Sequence, residues 1–149
     1  MKPIKTWIIV ADGSGMRVFV NDGPGHGLSE VAGKARKTDP KPSGDIDADK
    51  PGRSFDSKGR GRHAMEPPTD SSRHAKRVFA SEIADALEKE QRAKAFDRLV
   101  LVAAPSMLGD LRAALPESVQ KVIYHELAKD LTHLNERDLA GHLDDILAL

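Results

Sequence analysis

The chain contains no cysteine, which removes disulfides, thiolate metal sites and thiol nucleophiles together and suits a reducing cytoplasm. Aromatic residues are scarce at 4%, with one tryptophan, one tyrosine and four phenylalanines among 149 residues. A core must therefore be assembled mostly from Val, Leu, Ile and Ala. The aromatic interleaving of single-strand RNA binders is absent. No apolar run approaches the roughly 20 residues that a spanning helix requires. The run nearest the start, Trp7 to Ala11, is also too short for the core of an export signal. The expectation is a cytoplasmic protein with no membrane insertion. Net charge is missing as well: 23 basic residues balance 23 acidic ones, so total charge points to no partner.

What is present suffices for one domain spanning 1–149, with a single sizeable core. Ile8, Ile9 and Val10 lead into Asp12-Gly13-Ser14-Gly15, and Met16, Val18 and Val20 alternate after it. Two β-rich runs around a Gly-rich turn predict a hairpin. "NDGPGHG" (21–27) reads as a second turn, and Leu28 and Val31 offer a weak third strand. A helix is predicted to begin near Arg73, because Phe79, Ile83, Ala86 and Leu87 share one helical face. "FDRLVLVAAP" (96–105) is a continuous apolar run, the pattern of a strand buried on both faces. Leu108, Leu111 and Leu115 predict a second helix stopped by Pro116. "VQKVIYHELAKDL" suits helix or strand; its Val122-Ile123-Tyr124 cluster favours strand. Asn135 is placed to cap a last helix carrying Leu139, Leu143, Ile146 and Leu147. The sum is an α/β fold: a mixed β-sheet of about five strands, hairpin or meander first and βαβ units after, with three helices. Trp7 and Tyr124, both on expected strands, read as core.

Between the early strands and the long helix lies a polar insert at about 36–72, whose sizeable apolar side chains are Ile46, Phe55 and Met65. From Lys50 to Arg77 eight Lys or Arg face three acids, whereas from Glu126 to Leu149 six acids face two bases. Overall neutrality thus conceals a local balance of +5 against one of −4. Arg73, Lys76 and Arg77 stand in the first turns of the expected helix, where the macrodipole disfavours cations. Two readings compete. In one the insert is a solvated loop whose charges keep it soluble. In the other the loop and the helix start hold an anion, with Gly59 and Gly61 letting backbone approach a phosphate and the guanidinium forks closing on it.

Catalytic patterns are thin. The six histidines include no pair at metal-ligand spacing, and neither a nucleophile elbow nor a phosphate loop preceding a helix is present. Ser14 reads as a turn residue, and His63 as a loop histidine touching an anion. No cofactor, metal or catalytic residue is expected, which favours a binding protein over an enzyme.

The segments "KTWIIVADGSGMRVF", "DKPGRSFDS", "GRGRHAMEP", "FDRLVLVAAPSMLGDLRAAL" and "ELAKDLTHL" resemble the bacterial host-attachment protein family, named for a role in attachment to host cells. The likeness runs from about Lys5 to Leu143. More distantly, the strand and helix order resembles the middle domain of archaeo-eukaryotic peptide-chain release factors. In those factors a Gly-Gly-Gln loop between the early strands and the long helix reaches the peptidyl-tRNA ester. "KGRGRHAME" (58–66) holds the matching place, with two glycines and flanking cations but no glutamine. The resemblance therefore implies RNA binding and gives no ground for peptidyl-tRNA hydrolysis. It puts an RNA- or anion-binding surface on Arg53, Lys58, Gly59, Arg60, Gly61, Arg62, His63, Arg73, Lys76 and Arg77, with ribosome or tRNA as partner. The alternative is a protein partner or regulatory role in attachment to host cells.

Overall fold

The computed structural model describes residues 4–31, 33–37 and 70–149. At its centre lie β1 (Thr6–Ala11) and β5 (Arg98–Ala103), paired in parallel from Thr6 opposite Arg98 to Ala11 opposite Ala103. On one side β2 (Gly15–Asn21) folds back antiparallel to β1, closing the expected hairpin. The far edge of β2 carries two strands of two residues each, β3 (Ser29–Glu30) and β4 (Arg36–Lys37). On the other side β6 (Ile123–Leu127) runs parallel to β5. Among the described residues this makes a six-stranded mixed sheet in the order β3-β2-β1-β5-β6, with β4 also on β2.

Helices cover both faces, as the period-two burial of the strands demands. On one face Trp7, Ile9, Ala11, Leu99, Leu101 and Ala103 pack beneath α1 (Asp70–Arg92), α2 (Pro105–Ala114) and the single turn α3 (Glu117–Gln120). Phe79, Ala80, Ile83, Ala84 and Leu87 supply the apolar stripe of α1. On the other face Ile8, Val10, Phe19, Val100 and Val102 meet Leu139 and Leu143 of α4 (Glu136–Leu143), with Leu131 and Leu147 beside them. Both central strands are therefore buried on both sides, which is why each reads as an unbroken apolar run. Asn135 caps α4 as its position in sequence requires, its side chain accepting from the Asp138 N–H at 2.8 Å.

Helix α1 stops without a glycine. The Ala95 N–H reaches the Glu90 carbonyl and the Lys94 N–H reaches the Gln91 carbonyl, a Schellman closure with Lys94 in the left-handed region at φ 60°.

Three expectations change. The helix starts at Asp70, ahead of Arg73, and Pro116 begins a further helical turn where a simple stop was expected. Tyr124 is not core: half of it, 49%, is exposed. Ile123 pairs with Leu99 and His125 with Val100, so Tyr124 is the extra residue of a β-bulge and turns outward. There the Arg98 guanidinium lies 4.0 Å from its ring centre, steadied by Nε donating to Thr6 Oγ1 at 2.9 Å. Of the span 36–72, residues 36–37 pair with β2 and residues 70–72 open α1.

Candidate functional site

In an open α/β sheet, ligands gather outside the carboxyl ends of the parallel strands. Here β1 ends at Ala11 and β5 at Ala103, and the turns that follow build one charged region. The β1–β2 turn is organised by Asp12. Its Oδ1 accepts the N–H groups of Ser14 (2.8 Å) and Gly15 (2.7 Å) and the Ser14 hydroxyl (3.1 Å), and Oδ2 accepts the Thr132 hydroxyl at 3.0 Å. An Asp at the start of a Gly-rich turn does this because its short side chain reaches backbone donors two and three residues on. Burial works to raise the Asp12 pKa, but the hydrogen bonds together outweigh it and hold the carboxyl below its ordinary value.

The start of α1 lies over the same end. Arg73 makes a two-pronged pair with Asp110 of α2, Nη2 to Oδ1 at 2.8 Å and Nη1 to Oδ2 at 3.2 Å, and Nη1 also reaches Ser106 Oγ at 3.1 Å. The hydrogen bond to Asp110, then its charge, raises the Arg73 pKa. That pair offsets the unfavourable place of Arg73 in the first turn of α1, so its position there has a structural cause without any ligand. Three residues on, the Lys76 side chain lies against Gly13, where even a methyl group would meet Lys76 Cε at 3.0 Å.

Two hollows share Asp12. One, of about 170 Å³, is lined by Gly13, Lys76, Ser106, Asp110 and Asp130. The other, of about 490 Å³, is lined by Arg17, Arg36, Lys37 and Thr132. Arg17 serves the framework: it pairs with Glu30 at 2.9 Å and donates to the carbonyls of Thr132 and Leu134, which ties β2 to the loop before α4. Lys76, Arg77, Arg36 and Lys37 form no ion pair with a carboxylate among the described residues.

Of the residues expected to bind an anion, Arg53, Lys58, Gly59, Arg60, Gly61, Arg62 and His63 lie outside the described residues. Lys76 lines the smaller hollow, Arg77 is exposed and does not line it, and Arg73 is committed to Asp110. Sequence reasoning passed over Arg36 and Lys37, Asp110 and Asp130. For Arg36 and Lys37 no propensity signal exists. For Asp12 the turn sequence Asp-Gly-Ser-Gly was the available clue. Among the described residues, no group of three or more His, Asp or Glu is placed to hold a metal ion, and no helix is long and apolar enough to cross a membrane.

Comparison with curated proteins gives no match. The family model described as "Protein required for attachment to host cells" matches residues 7–143. The match takes in both central strands, the long helix over their carboxyl ends and the cap of α4, and the chain belongs to that family.

Proposed function

We propose that this member of the host-attachment family is a cytoplasmic RNA-binding module that docks on ribosome or tRNA through phosphate contacts, without a catalytic step. The observation that supports the reading is the gathering of Lys76, Arg36 and Lys37 around hollows that meet at Asp12, at the carboxyl ends of β1 and β5. Lys37 and Asp70, which flank the basic stretch in sequence, stand at this same end: β4 pairs with the first residues of β2, and α1 begins over the turn. Cations without carboxylate partners, Arg36 and Lys37 exposed and Lys76 half-buried, suit a polyanion recognised by shape and phosphate, not by base edges.

Sedimentation with ribosomes through a sucrose gradient at low and moderate salt tests this directly. Binding should fall steeply with salt. Lys76→Ala and Arg77→Ala should each flatten the slope of log affinity against log salt by about 0.7 to 0.9, with the melting temperature unchanged. Absence of salt-sensitive binding to ribosomes, tRNA and generic RNA defeats the proposal. The family's description favours a second reading, a regulatory or protein-binding role in attachment. Under that reading a deletion strain loses attachment and is restored by the Lys76→Ala, Arg77→Ala double variant.

A further inference from the structure

The sheet has two edges, and among the described residues they are finished differently. Beyond β2 lie β3 and β4. Beyond β6 lies no strand among the described residues: β5 pairs with one side of Ile123–Leu127, and the other side is open. Such an edge presents a row of N–H and C=O groups that another extended chain can use. Its side chains are accessible as well. Tyr124 is half exposed with the Arg98 guanidinium stacked against it, and His125 is exposed beside it. Exposed Lys121 and Lys129 bracket the strand. Neither lysine nor Arg98 forms an ion pair among the described residues. The acids nearby have other duties. Glu126 pairs with Arg112, Asp97 accepts the Lys5 backbone N–H, and Asp130 accepts the Thr132 N–H and hydroxyl.

A second copy of the chain fits this edge poorly. The antiparallel register that pairs all five residues of β6 with their counterparts sets Lys121 opposite Lys129 at both ends and His125 opposite itself. Like charges directly opposite destabilise a strand pair, and lysine is a residue that blunts edges in this way. A nucleic acid would use the cations and leave the backbone groups unpaired. We propose that the β6 edge takes an extended acidic peptide of a partner protein as a further strand. Carboxylates near the two ends of that peptide meet Lys121 and Lys129, and an apolar residue lies against the exposed half of Tyr124. At roughly 3.3 Å per residue a segment of about seven residues covers β6 and comes within reach of both lysines. The site lies across the sheet from β2, uses none of Lys76, Arg36 and Lys37, and stands whether or not RNA binds.

The probe is the synthetic peptide acetyl-Glu-Val-Thr-Val-Thr-Val-Glu-amide, titrated into the full chain and followed by backbone amide chemical shifts. It should move the resonances of residues 121–129 saturably at millimolar concentration and leave the β1–β2 turn unmoved. A counterpart with lysine at both ends should bind several-fold more weakly. A version methylated on every peptide nitrogen keeps the charges, loses the donors and should not bind. Lys121→Gln with Lys129→Gln should weaken the acidic peptide about three- to tenfold, the loss of two exposed ion pairs, and bring the lysine-ended peptide level with it. Tyr124→Ser should weaken both peptides about two- to fivefold, with thermal melting confirming that each variant is folded. No saturable shift at β6, or binding that survives methylation, overturns strand addition, and the two lysines then only guard a bare edge. Equal affinity for the acidic and lysine-ended peptides, or a response at β6 to an oligouridylate in place of the peptide, overturns the acidic partner.

Discussion

Strand β1 begins and ends in opposite chemistry. Near its start Trp7 is buried in the core beneath α1, packed with Leu87 and Phe96. Past its end, Asp12 opens a turn whose surroundings are Lys76, Asp110, Asp130, Arg36 and Lys37. The difference follows from what the backbone needs in each place. Within the strand every N–H and C=O is taken by the ladders to β2 and β5, so the side chains are left to pack. At the turn the ladder ends and the N–H groups of Ser14 and Gly15 need acceptors, which the Asp12 carboxylate supplies. Small residues, Ala11 and Ala103, finish the two central strands, and the helices bring their polar first turns there.

The contrast predicts that the two ends fail differently. Trp7→Ala should be the most damaging change, costing about 3–5 kcal/mol through lost burial and the void left beside Phe96. Urea unfolding followed by circular dichroism measures it. A cost under about 1 kcal/mol would mean that the apolar end collapses around the loss, and the division of labour along β1 would not hold.

Asp12→Ala should cost less, about 1–2 kcal/mol, because its hydrogen bonds lie partly in contact with water. The pH dependence distinguishes this loss from packing. The folded-state pKa is below the ordinary 3.8, so the native state favours the carboxylate. The stabilisation is fully present above the unfolded value and disappears as pH falls through the lower, folded one. Wild type and variant should therefore differ constantly at neutral pH and converge in strong acid. Parallel curves down to the acid limb would show that the carboxylate charge contributes nothing.

A gain of about 1 kcal/mol should follow Lys94→Gly, since Lys94 holds φ at 60° in a Schellman closure that glycine adopts without strain. Chemical denaturation measures it.

These two regions were unequally legible. The hairpin, the doubly buried β5 and the cap at Asn135 depend on neighbours within a few residues, and period, turn chemistry and capping declare them locally. Strand β3 is two residues long and lies within the weak third strand read at Leu28 and Val31, whereas β4, also two exposed residues, exists because β2 offers an unpaired edge; no composition announces β4. Tyr124 carried a strand signal that was correct and a burial expectation that was wrong, because a one-residue bulge reverses a side chain without changing its propensity. The Arg73–Asp110 pair joins residues 37 apart through the packing of α1 on α2, which no spacing rule reaches. Trp7 was legible as core.

The smallest effect is expected at Gly13, and it is the sharpest probe of the charged end. Gly13 does not have positive φ, so alanine fits the backbone there and reduces the freedom of the unfolded chain, a gain of about 0.4–1 kcal/mol. Against this, the new Cβ would stand 3.0 Å from Lys76 Cε and 3.2 Å from Cδ and Cγ. Those atoms belong to a flexible side chain, which moves aside at little cost. Gly13→Ala should accordingly leave stability within about 0.5 kcal/mol of wild type while displacing the Lys76 ammonium from its hollow. Under the proposed RNA reading, affinity should drop, by less than in Lys76→Ala, because the charge is retained and only its position changes. Filter binding beside thermal melting reads both quantities on one preparation. An RNA affinity equal to wild type in Gly13→Ala, with Lys76→Ala still weakened, would mean that Lys76 acts as part of a diffuse positive field. A matching drop in both would mean that the position of the ammonium over the β1–β2 turn is what the phosphate recognises.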